Sequence, residues 1–106
     1  MTIYKIVPAA LWREAEAAGV FAGSPVDVQD GFIHFSTETQ LPGTAAKHFA
    51  GQTDLLLVSL SSERVDLRWE PSRGGELFPH LYGVLPLSAV ESVEPFEAPP
   101  RHEPDR

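Results

Sequence analysis

A Phe-x-His-x-hydroxyl pattern occurs twice in this chain, and it constrains the fold more than any other feature. The first copy lies within Asp30-Gly31-Phe32-Ile33-His34-Phe35-Ser36-Thr37, the second within Phe78-Pro79-His80-Leu81-Tyr82-Gly83. In an extended strand, Ile33 and Phe35 point to one face, and Phe32, His34 and Ser36 to the other. In the second copy Phe78, His80 and Tyr82 share a face and Leu81 takes the opposite one. The apolar side chains anchor each strand in a core. Each polar face offers an imidazole and a hydroxyl, attached about 7 Å apart at a rise of roughly 3.3 Å per residue. Two such strands can build one polar pocket.

The remaining segments supply the rest of a small domain. Thr2 to Val7 alternates with apolar residues on both faces, as a central strand does. Pro8 suits the first position of a helix, in which Leu11, Ala15 and Ala18 form a stripe beside Trp12. Gly19 closes that helix. Residues 21–29 read as a loop around Gly23, Ser24 and Pro25. Thr37 and Gln40 form a Thr-x-x-Gln capping box for a second helix, with Ala45, Ala46 and Phe49 on its buried side. Leu55-Leu56-Leu57-Val58 is an interior strand, and Val65, Leu67 and Trp69 mark a half-buried one. Residues 71–76 form an open loop. After the second histidine block come an extended Val84-Leu85-Pro86, a short turn and a last strand over Val90, Val93 and Phe96. Pro99, Pro100 and Pro104 mark residues 97–106 as a disordered tail.

At 106 residues this is one domain, expected over residues 1–96. The absence of cysteine excludes disulfides, thiolate metal sites and thiol nucleophiles, and fits a reducing compartment. No apolar run approaches the ~20 residues of a membrane span, so a cytoplasmic protein without membrane contact is expected. A net charge of -7, with eight Lys and Arg, argues against non-specific nucleic-acid binding. A small anionic ligand needs only one or two local cations.

Three uses of the two histidines are open. They can act as acid and base on a phosphodiester, hold a ribose or phosphate by neutral hydrogen bonds, or bind a metal with Asp30, Glu70 or Glu76. No tight histidine spacing supports the metal, and no metal site is expected. Each histidine can also be a structural residue satisfied within the fold. Ser36 lacks the Gly-x-Ser-x-Gly setting of a hydrolase nucleophile. Tyr82 can stack on a ligand ring. Glu70, at a strand end before a loop, reads as a solvated carboxylate, with a raised pKa beside Trp69 as the alternative. Lys5 is the one cation placed near the pocket, and Phe32 and Phe78 are walls or core.

The order Tyr4-Lys5-Ile6, Trp12, Gly31-Phe32-Ile33-His34-Phe35-Ser36, Asp54-Leu55-Leu56-Leu57, Glu70 and Phe78-Pro79-His80-Leu81-Tyr82-Gly83 resembles the domain-of-unknown-function family 952 (DUF952) over about residues 2–96. More remotely, it is similar to the ADP-ribosyltransferase superfamily and its small RNA 2'-phosphotransferases. That resemblance implies a His-x-Ser block at His34 and Ser36 and a family block at His80 and Tyr82. Lys5 stands where the superfamily has its first histidine, and a lysine cannot accept a hydrogen bond from ribose.

The expected fold is therefore α+β: a compact domain with a curved mixed sheet of about six strands and two main helices, ADP-ribosyltransferase-like. The expected function is binding of a nucleotide-like ligand, with NAD as a candidate cofactor and transfer of ADP-ribose or a phosphate-linked group as the candidate reaction. His34, His80 and Glu70 are the candidate catalytic residues. Lys5, Trp12, Phe32, Ser36, Phe78 and Tyr82 are the candidate ligand contacts. The alternatives are a two-histidine phosphodiesterase and a non-catalytic binding or structural domain.

Overall fold

The computed structural model describes residues 1–101. Strand β1 (Thr2–Pro8) buries Ile3, Ile6 and Val7 and lies between two partners, as its double-sided apolar pattern predicts. Helix α1 (Ala9–Ala18) follows at once, with Pro8 as its N-cap. Its inward face is Ala9, Trp12 and Ala15, while Ala18 is exposed. Gly19, at φ 82°, closes it and donates its N–H to the Ala15 carbonyl.

Strand β2 (Val20–Phe21) and helix α2 (Pro25–Asp30) occupy the segment expected to be a loop. The helix signal was there to read. Ser24 accepts the N-cap role, Pro25 supplies a preset φ at the first helical position, and Asp27 reaches back to bond the Ser24 N–H at 2.8 Å. Gly31 ends this helix at φ 87°, so the Asp30-Gly31 turn is its C-cap. Among the described residues there are thus three α-helices, not two. The third, α3 (Leu41–His48), begins after the reciprocal Thr37–Gln40 bonds that the capping box predicts.

The remaining strands are β3 (Ile33–His34), β4 (Ser36–Thr37), β5 (Leu55–Ser61), β6 (Leu67–Pro71), β7 (Leu77–Leu81), β8 (Leu85–Pro86) and β9 (Ser92–Phe96). They form three sheets, ordered β4-β1-β5-β9, β2-β8 and β3-β7-β6. Each of these pairings is antiparallel, so the expected single mixed sheet is corrected. The reason lies in residues 33–37. His34 pairs with β7 and Ser36 pairs with β1, so the chain changes sheets at Phe35. Phe35 donates its N–H to the Pro79 carbonyl at 3.0 Å, and its ring is buried in the core between the sheets.

That core gathers Ile3, Val7, Trp12, Phe21, Ile33, Phe35, Leu60 and Leu85. Removing each large side chain from water contributes about 1.5–3 kcal/mol. A second cluster, around Ile6, Ala45 and Leu55, lies under α3 and includes Phe96 and Ala98. Of the tail expected over 97–106, the first residues pack back on the fold: Pro99 accepts a hydrogen bond from Gly51 N–H at 3.0 Å. Residues 102–106 lie outside the described residues. Among the described residues, no helix is long and apolar enough to cross a membrane.

Candidate functional site

His34 and His80 are direct partners in the β3–β7 ladder, so their side chains share a face. Their ring centroids are 5.3 Å apart and nearly perpendicular. Phe32 packs on both, stacked on His80 at 4.1 Å and tilted against His34 at 4.7 Å. The two repeats thus meet, as the sequence pattern requires.

Each imidazole carries a carboxylate. His34 Nδ1 lies 2.5 Å from Asp27 Oδ1, and its Nε2 lies 2.9 Å from Asp30 Oδ2. Asp27 is buried and organises this half of the site. Its carboxylate accepts hydrogen bonds from the Ser24 N–H and hydroxyl, the His34 N–H and Lys5 Nζ. Burial pushes the Asp27 pKa up, but the His34 hydrogen bond, the Lys5 charge and the Ser24 bond outweigh it. The carboxyl is held well below the usual carboxylate range. Lys5 is 9% exposed. Its ammonium sits 3.0 Å from Asp27 and donates to the His34 carbonyl at 2.9 Å. Burial lowers the Lys5 pKa against the attraction of Asp27.

His80 is 3% exposed. Its Nδ1 is 2.8 Å from Glu70 Oε1, and Glu70 also accepts the Tyr82 hydroxyl at 2.9 Å. These two bonds, His80 first, lower the Glu70 pKa. Of the two readings of Glu70, the raised pKa beside Trp69 is the one overturned: the Trp69 ring is exposed, and the carboxylate has two donors. The same bond raises the Tyr82 pKa, because ionising the phenol beside a carboxylate is unfavourable. The buried Nε2 of His80 has no hydrogen-bond partner among the described residues.

These residues border a cleft of ≈ 570 Å³. One wall is Ile6, Pro8, Leu11, Phe35, Phe49 and Phe78; polar positions are Lys5, Asp27, Asp30, His34, Ser36, Thr44 and His80. Lys47, His48 and Arg73 also line it, so Lys5 is not its one cation. The Arg73 guanidinium lies 4.9 Å above the Phe78 ring. Among the described residues its hydrogen bonds are long, 3.4 Å to Thr44 Oγ1 and 3.5 Å to the Gln40 carbonyl. Burial, then Lys47, Arg73 and His34, lower the His48 pKa.

Of the expected site residues, the cleft brings together Lys5, His34, Ser36, Phe78 and His80. Glu70 joins through His80. Trp12 is not brought there: it is 3% exposed and packs on Phe21 at 5.7 Å in the core. Phe32 sits behind the imidazoles, and Tyr82 lies against Phe32 at 5.2 Å with Arg68 over its ring. Neither Phe32 nor Tyr82 lines the cleft. Ser36 is engaged with Thr44 at 2.8 Å. The sequence reading missed Asp27, Thr44, Lys47, His48 and Arg73. Only Asp27 had a local signal, the Ser24-Pro25-x-Asp27 helix start. Among the described residues, no group of three or more histidine and acidic side chains is placed to hold a metal.

The fold and cleft define a single α+β domain of antiparallel sheets in which two carboxylate-bound histidines face each other. The chain belongs to the family described as "Protein of unknown function (DUF952)", whose model matches residues 6–93. It is similar to the crystal structure of protein CC0527 from Caulobacter crescentus, with 47% identity and a TM-score of 0.88 over 92% of this chain and 87% of that one. The solution structure of CC0527 matches at 49% identity and a TM-score of 0.80, over 89% and 83% of the two chains. No curated protein matches.

Proposed function

We propose that the cleft binds a nucleotide-like ligand, NAD among the candidates, with its phosphate on the Arg73 side and a flat ring against the Phe49 and Phe78 wall. One observation carries this reading. In a chain of net charge -7, Lys47 and Arg73 converge on a cleft that His80 also lines, and the buried Nε2 of His80 has no partner among the described residues. Cations gathered against the overall charge favour an anionic ligand, and apolar walls favour one with a ring. The resemblance of the His34–Ser36 block to the His-x-Ser block of the ADP-ribosyltransferase superfamily supports NAD or ADP-ribose. Lys5 is committed to Asp27 and the His34 carbonyl, so ribose contacts fall to other residues. In a transfer of ADP-ribose or a phosphate-linked group, His80 would accept the proton of the attacking hydroxyl.

The test is a thermal-shift and calorimetric panel of NAD, ADP-ribose and AMP on the full chain. A ligand at a hundredfold excess over its dissociation constant stabilises the fold by about 2.7 kcal/mol. Binding that weakens in both Arg73→Gln and Lys47→Gln supports the reading, and no shift with any of the three sinks it.

The facing histidines favour a second reading, a two-histidine phosphodiesterase, because each ring has its own carboxylate and they meet across one ladder. Hydrolysis of a 2',3'-cyclic nucleotide that is lost in both His34→Ala and His80→Ala would select it.

A further inference from the structure

We infer that the ligand is held at two points, a phosphate group at Arg73 and a free hydroxyl at His80 Nε2, so that the substrate class is a sugar phosphate with its hydroxyls intact. This rests on the nucleotide reading and sharpens it.

The hydroxyl point follows from His80. A carboxylate only accepts hydrogen bonds, so the Glu70 contact places a proton on Nδ1, and in the tautomer with that one proton Nε2 is an acceptor. A buried acceptor without a partner is costly, and a satisfied core histidine would not leave it so. The other polar groups nearby are engaged. Both nitrogens of His34 have partners, Ser36 bonds Thr44, and Lys5 bonds Asp27. A ligand O–H or N–H is what this site lacks.

The phosphate point follows from Arg73. Its guanidinium faces no carboxylate within salt-bridge reach among the described residues, and a planar fork of this kind matches phosphate oxygens. Gly43 makes room for it: a Cβ there would lie 3.0 Å from Arg73 Nη2. Arg73 sits above Phe78, and Phe78 and His80 share a face of β7 with attachment points about 7 Å apart. Arg73 and His80 both line the same cleft, so one ligand can meet both.

The experiment measures binding of AMP, 2',3'-dideoxy-AMP and inorganic phosphate to the full chain by calorimetry. In the wild type, AMP should bind about tenfold more tightly than the dideoxy compound. In His80→Gln, checked for folding by circular dichroism, that preference should vanish. In Arg73→Gln both nucleotides should weaken by about tenfold and phosphate binding should be lost. Gly43→Ala should weaken AMP while leaving the melting temperature unchanged or raised, since alanine favours the helix. Equal binding of the two nucleotides by the wild type overturns the inference while the nucleotide reading stands. Failure of AMP to bind also overturns it, and the NAD and ADP-ribose arms of the earlier panel then decide whether the broader reading survives.

Discussion

Asp27 and His34 are joined twice: the carboxylate Oδ1 meets both the ring Nδ1 and the backbone N–H of the same histidine. One side chain thereby fixes the end of β3 and the orientation of the imidazole on it. Asp27 also takes up the Lys5 charge, so one buried carboxylate sets the geometry of this side of the cleft.

Asp27→Asn should therefore destabilise the fold strongly. It leaves the Lys5 ammonium buried beside a neutral amide, a change that costs about 3–5 kcal/mol. Urea denaturation at neutral pH measures this. The Asp27 pKa is lower folded than its ordinary 3.8, so the folded state binds fewer protons there. Its stabilisation is fully present well above that value and is lost as pH falls below it, toward the lowered folded value. The acid slope should be steep in the wild type and shallower in Asp27→Asn.

Gly23→Ala tests the same hub from the backbone. Gly23 has φ 114°, and an added Cβ would lie 2.9 Å from Asp27 Cβ. Strain and contact together should cost about 2 kcal/mol. Ligand affinity should fall as well, because Asp27 must shift. A melting temperature equal to wild type would contradict this account.

Glu70 and Tyr82 report on each other. The chain has two tyrosines, so Tyr4→Phe leaves Tyr82 as the single phenol. Its ultraviolet titration should lie above the ordinary value of 10.0, because Glu70 opposes ionisation. Glu70→Ala in that background should move the titration down. The melting temperature should change little, since Glu70 is exposed to water, whereas AMP affinity should fall as His80 loses its tautomer.

His48 gives the cleft a pH dependence. Its pKa is held below 6.5 by burial and by the cations around it, and a bound phosphate would favour the protonated ring. ADP-ribose affinity should therefore rise as pH falls below about 6.5 and flatten once the ring is charged. His48→Gln should remove that rise. Calorimetry across pH 5 to 8 checks both slopes.

The pairing of residues 34 and 80 was legible because alternation in a strand is strict: each histidine follows an aromatic residue by two positions and shares its face. Strand β5 and the Gly19 helix end were legible for the same local reasons. The sheet arrangement was not, because the sequence from Ile33 to Thr37 reads as one strand and nothing local marks the change of partner at Phe35. Helix α2 was misread because glycine, serine and proline together suggest a loop, although Ser24 and Pro25 also start a helix. Lys47, His48 and Arg73 were unreadable as a group, since α3 and the 71–76 turn meet only in three dimensions. Trp12 was misplaced because a single aromatic on a helix fits core and pocket equally well.

The crossing at Phe35 has a mechanical consequence. Residues 33–37 are stitched into both the β7 and β1 ladders, so the pocket floor and the scaffold share one segment. Loosening the floor would peel strands from two sheets at once, which places these amides among those that exchange with solvent only through global opening.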